Sequence, residues 1–208
     1  MTEPILEGTR ILPVVVLDDA DAAHPLAEAL LRGGLRAAEV TFRTPAAELA
    51  LRRMAEVPGL LVGAGTVVTA GQVDTAVDAG ARFIVSPGLS RTVVERAQGH
   101  GVPVFPGVAT ATELMAALDL ELRVVKFFPA ETLGGVAALK AIAAPFPGVR
   151  FIPTGGITAA TAANYLALPS VAAIGGSWMV APALLASRQF DAVERLAAEA
   201  VAAAGGAS

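Results

Sequence analysis

Val124-Val-Lys-Phe-Phe-Pro129 is apolar on both sides of a single charge and runs into a helical pattern, Gly135-Val-Ala-Ala-Leu-Lys-Ala-Ile142. A strand that is apolar throughout, rather than alternating, is one covered on both faces, as in a parallel sheet. Working outward in both directions, comparable β-branched apolar runs occupy residues 11–16, 37–42, 61–66, 83–88, 102–107, 149–156 and 170–177. Successive runs start 19 to 26 residues apart, the length of one strand, one helix and two short loops. Eight such units with no break in composition predict an α/β fold, a single-domain (β/α)8 TIM barrel over residues 1–208. An open doubly wound sheet is the alternative, and it rarely repeats so evenly to eight.

The helix starts support the same parse. Thr44-Pro45 reads as an N-cap followed by proline at the first helical position. Thr69-Ala-Gly-Gln72 and Thr110-Ala-Thr-Glu113 read as capping boxes. Residues 191–204 form an Ala-rich helical pattern with Val193, Leu196, Ala197 and Val201 on one side.

Composition excludes several function classes. Of 208 residues, 54% are hydrophobic and 16% charged, which is ample for a large core and excludes intrinsic disorder. The mean hydropathy of +0.62 is high, but Gly, Pro or a charge interrupts every run before membrane-spanning length. The absence of Cys removes disulfides, thiolate metal sites, iron–sulfur clusters and a cysteine nucleophile together. A net charge of -4 argues against a nucleic-acid partner. Residues 1–10 are polar and lack the apolar region of a signal peptide. The expectation is a soluble, cytoplasmic protein with no membrane and no nucleic-acid partner.

In a barrel, functional side chains sit at the C-terminal ends of the strands or just beyond them. Both histidines miss those places, His24 falling in the first helix and His100 in the loop before the fifth strand. There is no HExxH, His-x-His or clustered-Asp pattern at a strand end, so no protein-held metal is expected. Only two of the 15 basic residues are lysines. Lys140 belongs to the helix after the sixth run and reads as a surface charge, whereas Lys126 lies mid-strand on one face with Val124 and Phe128. An ammonium buried without compensation costs several kcal/mol, and a buried amine that is uncharged part of the time is the nucleophile of Schiff-base chemistry. The alternative is a lysine that only balances charge inside the barrel.

On the second run, Glu39, Thr41 and Arg43 share one face, so Glu39 and Lys126 would both point into the barrel as an acid/base and an amine. Arg43, at the strand end, is placed to hold a carboxylate through two hydrogen bonds, with an ordinary surface Arg as the alternative. Thr66 closes Val62-Gly-Ala-Gly-Thr66, where small residues leave room for a ligand. Thr154-Gly-Gly156 and Gly175-Gly-Ser177 close the last two runs. Glycines let backbone N–H groups approach an anion, a helix start after Ser177 would add its dipole, and barrel phosphate sites are often built from the loops after strands seven and eight. A phosphate monoester is the expected ligand there.

Six segments, in this order, resemble one family: Glu39-Val-Thr-Phe-Arg-Thr44, Val62-Gly-Ala-Gly-Thr66, Ser86-Pro-Gly-Leu89, Lys126-Phe-Phe-Pro-Ala130, Pro153-Thr-Gly-Gly-Ile157 and Ile174-Gly-Gly-Ser-Trp178. The family is that of 2-dehydro-3-deoxy-6-phosphogluconate (KDPG) aldolase and 4-hydroxy-2-oxoglutarate aldolase, and the similarity covers nearly the whole chain. The resemblance implies a metal-independent class I aldolase, a carbon–carbon lyase without cofactor, in a homotrimer of (β/α)8 barrels. It places the enzyme in carbohydrate metabolism, in the Entner–Doudoroff pathway.

Carried over by position, the Schiff-base lysine falls on Lys126, the general acid/base on Glu39 and the carboxylate site on Arg43 and Thr66. Pro87 and Phe128 correspond to walls against the substrate, and Thr154, Gly155, Gly156, Gly176 and Ser177 to the hydroxyl- and phosphate-contacting loops. The implied reaction cleaves 2-dehydro-3-deoxy-6-phospho-D-gluconate to pyruvate and D-glyceraldehyde 3-phosphate, with 4-hydroxy-2-oxoglutarate (to pyruvate and glyoxylate) as a second substrate. The galactonate-derived stereoisomer is an alternative substrate. A phosphosugar isomerase or epimerase, in which Lys126 is only a charge, and a catalytically silent trimeric scaffold are the rival readings.

Overall fold

In the computed structural model, which describes Gly8 and residues 10–205, every apolar run contains a strand, and every strand is followed by a helix. Most of the polar opening at residues 1–10, read above as lacking a leader, lies outside the described residues, as do residues 206–208. The strands are β1 Ile11–Val15, β2 Ala37–Thr41, β3 Leu61–Gly65, β4 Ile84–Ser86, β5 Val104–Val108, β6 Val124–Phe127, β7 Arg150–Pro153 and β8 Ile174–Gly176. The helices are α1 Ala23–Arg32, α2 Ala47–Ala55, α3 Ala70–Asp78, α4 Arg91–Gly99, α5 Ala111–Asp119, α6 Gly135–Ala143, α7 Ala159–Leu166, α8 Pro182–Ala186 and α9 Phe190–Gly205.

All strand pairings are parallel and follow the order β7-β6-β5-β4-β3-β2-β1-β8. The two edges meet through isolated bridges, Phe151 with Val171 and Thr154 with Gly175, which bring the sheet round into a nearly closed barrel.

Strand alternation sorts the core into two layers. Outward residues such as Val15, Val40, Ala64, Val125 and Phe127 join one apolar cluster with the helices. Inward residues form a second cluster, Leu12, Ala37, Phe83, Val85, Phe105, Val124, Ile152 and Ala172, which plugs the barrel below the site. Burying a Phe such as Phe105 contributes about 1.5–3 kcal/mol. The rings of Phe83 and Phe105 meet tilted, with centroids 5.9 Å apart. Gly63 is small for a packing reason: a Cβ there would stand 2.2 Å from the Phe83 ring.

The capping boxes at Thr69/Gln72 and Thr110/Glu113 form as read. Thr44 does not cap α2, which starts at Ala47 after Ala46 with no side-chain cap. The Thr44 hydroxyl instead donates to the Leu17 carbonyl, tying the β2–α2 loop to the end of β1. On α9 the buried face is Val193, Ala197, Ala200 and Ala204, while Val201 is exposed. The α9 residue after Ala200 turns off that face to lie over Gly34. Among the described residues no helix is long and apolar enough to cross a membrane.

Candidate active site

β2 and β6 stand on opposite sides of the barrel, so inward side chains of the two strands meet across its axis. Glu39 and Lys126 are those side chains, 1% and 3% exposed, with Lys126 Nζ 3.5 Å from Glu39 Oε1. Gly107 pairs with Lys126 in register, and a Cβ on Gly107 would stand 2.1 Å from the Pro87 carbonyl oxygen. Gly107 thus makes room for the Pro87 backbone, whereas Gly65 makes room for the acid itself, since a Cβ there would approach Glu39 Oε1 to 2.9 Å. Two charges taken out of water are tolerated when each compensates the other, and removal of one leaves the other stranded. The ring of Phe128 lies 5.1 Å from Lys126 Nζ, presenting its negative face to the amine.

Above this pair, β2 continues to Thr41, whose buried hydroxyl donates to the Val15 carbonyl at 2.9 Å and joins the ends of β1 and β2. Arg43 follows, and its Nε donates to Thr66 Oγ1 at 2.9 Å. Thr66 takes φ 59°, a left-handed conformation that costs a β-branched residue about 1–3 kcal/mol. That turn off the end of β3 holds its hydroxyl where the Arg43 guanidinium reaches it.

A pocket of about 310 Å³ opens at this end of the barrel, lined by Arg43, Phe128, Thr154, Gly155, Gly156, Gly176 and Ser177 together with Val14, Val16, Ile157, Gly175, Val180 and Pro182. Gly155 and Gly156 take φ 103° and 79°, a left-handed pair that glycine adopts without strain. Thr154 is buried and packs on Gly175, where a Cβ would stand 2.3 Å from Thr154 Oγ1. The helix start expected after Ser177 is only a 3-10 turn, Trp178–Val180, followed by the five-residue α8. No long helix dipole therefore acts on Ser177, and an anion there would rest on loop amides and side chains.

The structure thus brings Glu39 to Lys126, Arg43 to Thr66, and the two glycine loops to one pocket. Glu39, Lys126, Thr66 and Pro87 do not line that pocket: the buried pair lies beneath it, Thr66 reaches it through Arg43, and Pro87 meets the site through its carbonyl on Gly107. Both histidines stay away, His24 on α1 beside Glu28 and His100 at the end of α4 on Asp74. Among the described residues no group of three or more His, Asp or Glu could hold a metal ion. A larger hollow, of about 500 Å³, lies at the N-terminal end of the strands near Val104, with Glu121 its one ionisable residue, and it carries no comparable chemistry.

Sequence reasoning read Gly65 as room for a ligand, where it makes room for Glu39, and missed Gly107, although it lies on its strand's inward face. It also missed Glu131, five residues beyond Lys126, whose carboxylate accepts a hydrogen bond from the Tyr165 hydroxyl at 2.6 Å.

Known proteins resemble the chain in sequence and in fold. The family model described as KDPG and KHG aldolase matches residues 2–196. A 2-dehydro-3-deoxy-phosphogluconate aldolase of Treponema pallidum is 50% identical over 192 residues, 92% of this chain and 91% of that protein. The crystal structure of the 2-keto-3-deoxy-6-phosphogluconate aldolase of Zymomonas mobilis with 3-phosphoglycerate superposes with a TM-score of 0.91 at 45% identity, over 97% of this chain and 95% of that one. The KDPG aldolase of Legionella pneumophila, with pyruvate captured at low pH as a covalent carbinolamine intermediate, gives a TM-score of 0.92 at 42% identity, over 95% of this chain and 97% of that one. Sequence matched along nearly its whole length, on a barrel of the same shape, places the chain in the KDPG and KHG aldolase family.

Proposed function

We propose that the chain is a class I aldolase that cleaves 2-dehydro-3-deoxy-6-phospho-D-gluconate to pyruvate and D-glyceraldehyde 3-phosphate, and 4-hydroxy-2-oxoglutarate to pyruvate and glyoxylate. The observation that carries this reading is the Lys126 amine, buried on the barrel axis 3.5 Å from the Glu39 carboxylate. Family membership supports it, as does the carbinolamine of the Legionella relative, the amine–ketone adduct that precedes an iminium.

Lys126 Nζ attacks the C2 ketone, and loss of water from the carbinolamine leaves an iminium. Glu39 takes the C4 hydroxyl proton, directly or through a water, as the C3–C4 bond breaks and its electrons pass to the iminium nitrogen. The aldehyde leaves, the resulting enamine is protonated at C3, and hydrolysis frees pyruvate and the amine. The iminium supplies the electron withdrawal, so no step calls for a metal. Arg43 and Thr66 hold the carboxylate, Pro87 and Phe128 wall the keto acid, and Thr154, Gly155, Gly156, Gly176 and Ser177 hold the far hydroxyls and phosphate. Fixing both ends aligns the scissile bond, worth several kcal/mol of barrier.

Residues 1–208 form one domain in this reading, and the enzyme works as a cytoplasmic homotrimer; the family resemblance supports the assembly, and exposed apolar side chains such as Val68 and Met115 suit it. Borohydride reduction in the presence of pyruvate, followed by peptide mass mapping, tests the proposal. The expected result is one reduced pyruvyl adduct, on Lys126. No adduct on Lys126 overturns it: with cleavage retained, the amine is not the nucleophile, and with cleavage absent, an isomerase or epimerase is favoured.

A further inference from the structure

Glu131 is an awkward residue for a phosphate pocket. Its backbone N–H donates to the Gly155 carbonyl at 3.0 Å, and its Cβ and Cγ press so closely on Gly156 that a Cβ there would meet them at 2.7 and 2.9 Å. An acidic side chain is therefore rooted against the loop assigned to bind a dianion. Yet Glu131 does not line the pocket. Its Oε1 accepts the 2.6 Å hydrogen bond from Tyr165, and both carboxylate oxygens lie 3.7 Å from where a Cβ on Gly135 would be. Gly135 is the first residue of α6, where the helix dipole favours a negative charge. The Tyr165 ring, on α7, is fully buried and cannot follow the carboxylate if that swings. Burial, the hydrogen bond to Glu131 and its charge together hold the phenol well above its usual range, so it stays a donor at every working pH.

We propose that the Tyr165 hydroxyl is a positioning group for substrate choice: it holds the Glu131 carboxylate against α6 and away from the Gly155–Gly156 loop, so that the pocket accepts a phosphate. The inference rests on the phosphate-end assignment above. Without that hydroxyl the carboxylate is free to turn toward the loop, and two negative groups within about 4–6 Å repel strongly enough to weaken binding roughly tenfold.

The test compares Tyr165→Phe, Glu131→Gln and the double variant on the phosphorylated substrate and on 4-hydroxy-2-oxoglutarate, with inorganic phosphate binding measured by calorimetry. Tyr165→Phe should raise KM for the phosphorylated substrate about tenfold at nearly constant kcat, weaken inorganic phosphate equally and leave the unphosphorylated substrate within about twofold. Glu131→Gln keeps an acceptor for the phenol and should behave as the parent. Adding Glu131→Gln to Tyr165→Phe should restore phosphate binding, because the repelling charge is gone. Equal losses on both substrates, or a double variant that stays impaired, mean that the hydroxyl only stiffens the loop, and the proposal is overturned. A parent that cleaves neither substrate overturns the aldolase reading instead, and the phosphate titrations then decide this one alone.

Discussion

Lys126 and Glu39 each stand where an apolar residue would pack better, and their mutual compensation is what keeps both inside. Substituting one at constant shape separates the roles assigned to them. Glu39→Gln should still form the reducible pyruvate adduct on Lys126, since the amine remains, while turnover of the full substrate falls by about 10²–10⁴ through loss of the proton acceptor. Turnover within tenfold of the parent would assign that proton transfer to another group. At this scale the sequence was informative wherever a residue contradicted its surroundings. A charge at position 126 within Val124-Val-Lys-Phe-Phe-Pro129 pointed inward by strand alternation, and the same period-two count put Glu39 on the inward face of β2. The left-handed turn at Thr66 was not legible, because a threonine after a strand usually stays extended. The Glu131–Tyr165 contact joins residues 34 apart on different units, and no local pattern announces it.

Elements follow their end signals only when the backbone has no better partner for the capping side chain. Thr110 keeps its cap: its hydroxyl accepts from the Glu113 N–H, and the Glu113 carboxylate accepts in return from the N–H groups of Ala109 and Thr110. Thr44, in an equally plausible sequence, gives its hydroxyl to Leu17, a residue 27 positions earlier that only the fold brings near. Thr110→Ala should therefore cost about 1 kcal/mol in urea unfolding, as a lost N-cap does. Partial burial raises the Glu113 carboxyl, but the Ala109 amide and the Thr110 hydroxyl and amide outweigh it and hold the group below its ordinary range. A carboxyl lowered in the folded state stabilises above its unfolded pKa and loses that contribution as pH falls through the folded one. Glu113→Gln should accordingly lower stability near pH 7 and show a smaller further loss on acidification than the parent. Equal acid sensitivity in the two proteins would contradict this.

The whole barrel was legible as eight repeated units because strand, loop and helix lengths recur, yet the quality of its closure was not. Runs of six to eight residues shorten to the three of β4 and of β8, since residues such as Pro87 and Ser177 turn away into the loops that make the site. The consequence is uneven: β2 and β3 align five residue pairs, whereas β7 and β8 meet only through two isolated bridges. That seam carries Thr154, Gly155, Gly156 and Gly176, so the loops assigned to the phosphate sit at a sparsely paired joint of the sheet. Weakly paired regions open locally at lower free energy than the rest of a domain, and ligand-binding segments are commonly found there. Amide hydrogen exchange should accordingly be faster at Ala172, which donates across the seam to Phe151, than at Leu61, which donates across the five-pair joint of β2 and β3 to Arg36. A tenfold difference in rate corresponds to roughly 1.4 kcal/mol in opening free energy. Inorganic phosphate, by bridging the loops after β7 and β8, should slow exchange at Ala172 and leave Leu61 unchanged. Equal protection at the two amides, or phosphate slowing both alike, would mean that the barrel opens as one unit and that the seam has no independent motion for a ligand to suppress.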